Sequence, residues 1–225
     1  MDFYTMDIEL ADRILPSYCS ITILQWHNNY ITGVFHTLLN PECDVENFFE
    51  NRHGLTNEDL KGYPMLREKW VRIYDILEDK TVFIHNANNV INGLLKRTSA
   101  DYLNIPDFTF VDTASISRRC FPGLDNYKLP TVAEALSITD RHNNSLEDAK
   151  TVGTILLYAI QNKNATDYYD LFRKIGYVGG KFKNGEKQLF RPIKDKIRNC
   201  YIAQTYDYKS FKKWNLTRRH SSERI

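Results

Sequence analysis

Asp7 and Glu9 lie one residue apart in the segment MDIELA (Met6–Ala11), and Asp148 follows much later in SLEDA (Ser145–Ala149). The stretch Phe3–Glu9 alternates in polarity as a half-buried strand does. Residues two apart in a strand share a face, so both carboxylates point the same way. Two buried acids side by side repel each other unless a cation lies between them. Asp148 stands four residues before Val152, on the side of the apolar stripe Val152, Ile155, Leu156 and Ala159. An acid on that inward stripe would bring a third hard oxygen donor to the pair, a set suited to Mg²⁺ or Mn²⁺. Two plainer readings fit the same residues: an Asp-x-Glu at a solvated strand end, and an acid that suits the dipole of the helix it begins.

The elements that must position these acids follow from periodicity. Cys19–Trp26 and Tyr30–Leu39 join Phe3–Glu9 in an antiparallel meander, with His27-Asn28-Asn29 as the turn. Thr56 caps a short helix from about Asn57, and Met65–Leu77 carries a helical stripe of Leu66, Trp70, Ile73, Tyr74 and Leu77. Thr81–Ile84 is a short strand running through His85-Asn86 into a helix that ends near Arg97. Phe108–Val111 is a further strand, followed by helices at Ala114–Cys120, Pro130–Leu136 and Ser145–Gln161. Three strands followed by strand–helix alternation predict an α/β fold, a mixed five-stranded sheet flanked by helices.

A chain of 225 residues with 42% hydrophobic content can bury one domain and carry an extension. No apolar run is long enough for a membrane span, and MDFYTMDIEL lacks the pattern of a signal peptide. Cys19, Cys43, Cys120 and Cys200 form no CxxC pair and read as free buried thiols, which suits the cytoplasm, or the nucleus in a eukaryote. The net charge of +2 conceals an asymmetry. From Leu171 onward there are 15 Lys/Arg and 4 Asp/Glu, against 15 and 24 in the preceding residues. The division expected is a domain over residues 1–162 and a small, basic, partly helical extension over 163–225, frayed after about Trp214. In that extension aromatics such as Phe182, Phe190, Tyr201 and Trp214 alternate with Arg191, Lys194, Lys196, Arg198, Lys212 and Lys213. Stacking rings among cations suit a single nucleic-acid strand, and the same basic face suits an acidic protein partner.

At this point the chain resembles the DEDDh 3′–5′ exonucleases, of the kind that proofread for bacterial DNA polymerase. The resemblance covers roughly residues 2–160 and rests on the order of MDIELA, HGLTNEDL (His53–Leu60), VFIHNA (Val82–Ala87), VDTASISRRCFPGLDNYKLPTVAEALSI (Val111–Ile138) and SLEDA. It implies an RNase H-like sheet and metal ligation by Asp7, Glu9 and Asp148. In such sites two ions about 4 Å apart activate water and stabilise the leaving oxygen.

The chain departs from that pattern twice. Counting from His85-Asn86-Ala87, the fourth acid's position is Val90; counting back from Asp148, the general-base histidine's position is Asn143. Valine ligates nothing and reads as helix core beside Leu94. An asparagine amide takes no proton near neutral pH, and loss of a general base costs about 10²- to 10⁴-fold in rate. His142 is one residue out of register for the role. The resemblance also implies a terminal-nucleotide pocket at Leu10, His53 and Asn89, with Arg52 where an apolar residue is usual. His53 equally suits a local turn, and His85 and Asn86 suit the strand-to-helix turn. The expected protein binds DNA or RNA, at single-stranded 3′ ends, with one weakly held Mg²⁺ or Mn²⁺ and hydrolysis lost or strongly reduced. A working exonuclease with a non-standard site and a non-catalytic protein-interaction module are the alternatives.

Overall fold

The computed structural model describes residues 1–139, 144–195 and 200–206. Nine residues of alternating burial form β1 (Asp2–Leu10), which pairs antiparallel with β2 (Tyr18–His27), and β2 with β3 (Tyr30–Leu38). The β2–β3 turn is made by Asn28 and Asn29, at φ of 48° and 70°, values asparagine tolerates better than most side chains. α1 (Asn47–His53), α2 (Asn57–Leu60) and α3 (Leu66–Leu77) follow. Thr56 caps α2 in a reciprocal box with Asp59. β4 (Thr81–Ile84) and β5 (Phe108–Asp112) then extend the sheet in parallel beside β1, with α4 (Ala87–Ala100) between them. α5 (Thr113–Cys120), α6 (Leu129–Ala135), α7 (Ser145–Asn162) and α8 (Tyr168–Ile175) complete the helices.

The five expected strands are β1 to β5, but among the described residues the sheet has eight. β6 (Gly180–Lys183), β7 (Glu186–Asp195) and β8 (Cys200–Tyr206) add antiparallel to the free edge of β5, giving the order β3-β2-β1-β4-β5-β6-β7-β8. Beyond 162, the described residues thus form a helix and three strands of the same sheet. Asn184 and Gly185, both at positive φ, form the β6–β7 turn; an Asn-Gly pair is the strongest short signal for such a hairpin. Lys187 fastens the hairpin to α4 through the side-chain oxygens of Asn88 and Asn92, at 2.7 and 2.8 Å. The basic residues beyond Gln188 that were expected to meet a partner lie outside the described side chains.

Two cores sandwich the sheet. On one face Leu66, Trp70, Ile73, Ile91 and Leu94 of α3 and α4 cover Met6, Val82, Ile84, Phe110 and Phe182. On the other, Ile116, Val132, Val152, Ile155 and Leu156 of α5 to α7 cover Phe3, Leu24, Trp26, Phe83 and Val111. The side chains of β1 divide accordingly: Met6 faces α3 and α4, whereas Phe3 faces α7. Cys19 and Cys120 are buried free thiols as expected, but Cys43 is exposed, since it sits in the loop before α1 rather than in an element. No helix of the described residues is long and apolar enough to cross a membrane.

α7 approaches β2 closely because residue 153 is glycine. A Cβ there would come within 2.2 Å of the Trp26 ring, a contact that demands movement of helix or indole. Alanine in mid-helix ordinarily gains roughly 0.5–1 kcal/mol over glycine. Overpacking costs about 1–3 kcal/mol, so the packing loss should win. Gly153→Ala is expected to lower unfolding stability in urea by about 1–2 kcal/mol; a rise in the midpoint would show that helix and strand are not held this close.

Candidate metal and strand-binding site

β1 presents Asp7 and Glu9 toward α7, opposite Thr22 and Ser20 of β2 respectively. α7 begins at Ser145, with the Asn144 side chain accepting from the Glu147 amide. The Ser145 hydroxyl lies 2.8 Å from the hydroxyls of both Ser20 and Thr22, and Thr22 lies 2.8 Å from Nδ1 of His36. The strand neighbours of the two acids therefore grip the first turn of the helix that carries the third. One carboxylate oxygen from each of Asp7, Glu9 and Asp148 lies within 4.8 Å of the others. The plainer reading of a solvated strand end does not describe this, because Glu9 and Asp148 are 4% and 5% exposed; Asp148 also lies in the first turn of α7, where an acid suits the helix dipole.

Burial, then Asp148, then Glu9 push the Asp7 carboxyl well above its ordinary range, with Arg52 opposing. Glu9 is pushed up to about 7 by burial, which Arg52 counters and Asp148 reinforces. Three oxygen donors at this spacing, with their charges crowded together, match what a hard divalent cation takes. Such an ion would be held by Asp7, Glu9 and Asp148.

The acids lie in a cleft of about 790 Å³ whose walls include Leu10, Arg52, Asn89, Val90, Arg118, Tyr127 and Lys128. Leu10, Asn89 and Val90 thus line the same cleft as the three acids. Val90 is half-buried: it packs on the core that holds Leu94, and it also forms cleft wall, so it is not core alone. Asn143 and His142 lie outside the described residues.

His53 is not among the lining residues. It is buried, its Nε2 donates to the Leu10 carbonyl (2.9 Å), and its Nδ1 accepts from the Leu55 amide (3.1 Å). A carbonyl only accepts, so the ring is the neutral Nε2–H tautomer with neither nitrogen left for a nucleotide. Its place is the turn after α1. His85 lines the cleft but is likewise committed, to the Thr113 hydroxyl (3.0 Å) and the Tyr127 carbonyl (2.8 Å). Burial lowers the pKa of both imidazoles. His85 thus ties the β4–α4 turn, where Asn86 adopts φ 58°, to the segment before α6.

Sequence reasoning gave no role to Arg118, Tyr127 or Lys128, which form a basic and aromatic rim; the Arg118 guanidinium lies 5.3 Å from the Tyr127 ring centre. The signal was present in the RRC and NYK triplets of the segment that carried the resemblance. Asp112 also lines the cleft, but its oxygens cap α5 and accept from the amides of Ala87, Ala114 and Ser115.

A carboxyl whose folded pKa is raised binds protons in the native state that the unfolded chain releases. For Glu9 the native state is favoured below about 4.5, and that advantage is lost as pH rises toward about 7. The ion-free protein should therefore weaken across this window, and Mg²⁺ or Mn²⁺ should restore it. At pH 8 without divalent ion, Glu9→Gln should stabilise the fold by up to about 3.5 kcal/mol, at ~1.4 kcal/mol per pKa unit. Thermal melts across the pH range, with and without EDTA, check both; a wild type whose stability climbs from pH 5 to 8 in EDTA would contradict the site. Ser145→Ala should weaken Mn²⁺ binding severalfold while leaving all three acids in place, as read by calorimetric titration.

The exonuclease family (RNase T) matches residues 12–156, a span that includes Asp148 and begins just after Asp7 and Glu9. The chain is 25% identical over 163 residues to a PolC-type DNA polymerase III of Caldanaerobacter subterraneus subsp. tengcongensis, covering 71% of this chain and 12% of that protein. It is 26% identical over 171 residues to the DNA polymerase III epsilon subunit of Rickettsia prowazekii, covering 72% of each. Among solved structures, a 3′-exonuclease recognising the 3′ end of a histone mRNA stem-loop superposes with a TM-score of 0.67 at 14% identity, covering 83% of this chain and 69% of that one. The chain thus spans about an eighth of the polymerase but nearly three quarters of the epsilon subunit. With the eight-stranded mixed sheet and flanking helices as its RNase H-like fold, the chain belongs to the exonuclease family.

Proposed function

We propose that this chain holds the 3′ end of a single DNA or RNA strand at a site with one divalent ion, and hydrolyses it slowly or not at all. The observation that carries the reading is the meeting of Asp7, Glu9 and Asp148 in a cleft whose wall, at Val90, is a valine. When bound, Mg²⁺ or Mn²⁺ would supply Lewis acidity to a phosphodiester and lower the pKa of a water. The chain's own contribution is placement. Arg118 and Lys128 draw phosphate toward the acids, Tyr127 offers a ring face for a base, and Leu10 and Asn89 border the terminal residue.

Supporting the reduced rate are the side chains at the two departures. Val90 brings no fourth carboxylate, and an Asn143 amide would take no proton from water. The loss of a general base alone costs about 10²- to 10⁴-fold. The epsilon subunit serves a DNA polymerase, and the superposed exonuclease recognises an mRNA end, so either nucleic acid suits the reading. On this reading the protein works in the cytoplasm, and the basic chain from 163 to 225 adds contacts to nucleic acid or an acidic protein partner.

A 5′-labelled single strand, incubated with excess protein and Mn²⁺, tests this. Wild type should retain the strand and trim it at least ~10²-fold more slowly than Val90→Asp/Asn143→His. Asp7→Ala should abolish whatever trimming wild type shows. Trimming by wild type at the rate of the double variant would sink the reading.

A further inference from the structure

We propose that Arg52 is a phosphate ligand of this site, its guanidinium standing in for the charge of a second divalent ion. The inference rests on the reading above that the cleft receives a nucleic-acid end. Arg52 is the next-to-last residue of α1, a helix whose Phe49 is buried against Ala11, Cys19 and Leu60. The helix end is tied to the strand by His53, which donates to the carbonyl of Leu10, the residue after Glu9. This anchoring brings an exposed arginine to the wall of the cleft that holds the three acids. Its charge acts on both Asp7 and Glu9, yet it forms no ion pair with any described residue. The fork is thus left to a ligand.

Charge arithmetic favours one ion. Among the described residues, the three carboxylates of the cluster, when ionised, match the charge of one divalent ion together with one guanidinium. A second divalent ion would leave the cluster and Arg52 with two positive charges in excess, in a cleft that also holds Arg118 and Lys128 beside Asp112. Among the described residues no fourth carboxylate joins the cluster, since Asp112 is occupied in capping α5. A planar guanidinium recognises phosphate through paired hydrogen bonds and reads no base, which suits the grip of a strand end regardless of sequence.

The test uses the full chain, Mn²⁺ titrated by electron paramagnetic resonance, and a short fluorescent single-stranded oligonucleotide measured by anisotropy at several salt concentrations. Wild type should take one Mn²⁺. Arg52→Leu should keep that ion but bind the oligonucleotide about tenfold more weakly. It should also flatten the slope of log affinity against log salt by about 0.7, the share of one phosphate contact. Arg52→Lys should keep the slope and lose part of the affinity. Val90→Asp/Arg52→Leu should take two Mn²⁺, where Val90→Asp alone takes one. An Arg52→Leu protein with unchanged affinity and slope would overturn the role of Arg52 while the proposed function stands; a wild type that takes two ions would overturn that role and the one-ion site of the proposed function together. A wild type that binds no oligonucleotide at all would overturn both.

Discussion

Like charges brought together in a protein interior impose a cost that the surrounding structure must meet, and here three carboxylates do so within one cleft. Most of the features around them serve that meeting. The hydroxyls of Ser20, Thr22 and Ser145 fix where α7 starts relative to β1 and β2. Gly153 lets the same helix lie against Trp26 two turns later, and Ile155 and Leu156 seal it over Phe3 and Leu24. The helix is held at two levels along its length, and this packing sets where its first turn, with Asp148, meets β1. Preorganising donors in this way lets an ion bind without the protein having to rearrange.

The basic groups at the mouth of the cleft make a second tier. On the proposed function, an acidic cluster beside cationic groups would separate two tasks, holding a metal and drawing in a polyanion, that would conflict if the charges were mixed. The acidic character of the body as a whole, against its basic C-terminal stretch, extends the same separation to the scale of the chain.

Much of this was legible in the sequence because it is encoded in periodicity. β1, β3, α3 and α7 carry two- or 3.6-residue patterns, β4 is a short apolar run, and Asp148 stood out as an acid on the side of an apolar stripe. The rest was written in other terms. α1 is seven residues with two adjacent phenylalanines and no stripe to read. The strands after α8 are interleaved with lysines that resemble a solvated tail, although Asn184-Gly185 marked their hairpin. His53 belongs to a shared motif, but only the geometry shows that both its nitrogens are spent within the protein. Val90 shows why a pattern of types stops short: half of a side chain can be core while the other half is wall.

Phe182 packs in the same core as Phe108 and Phe110, stacked at 5.4 Å from the first. The strand that carries it also closes the row of backbone donors and acceptors along Phe108–Phe110. A protein ended after residue 162 would therefore not be a trimmed domain. It would expose a sheet edge flanked by bare phenyl rings, the kind of surface on which separate molecules join strand to strand.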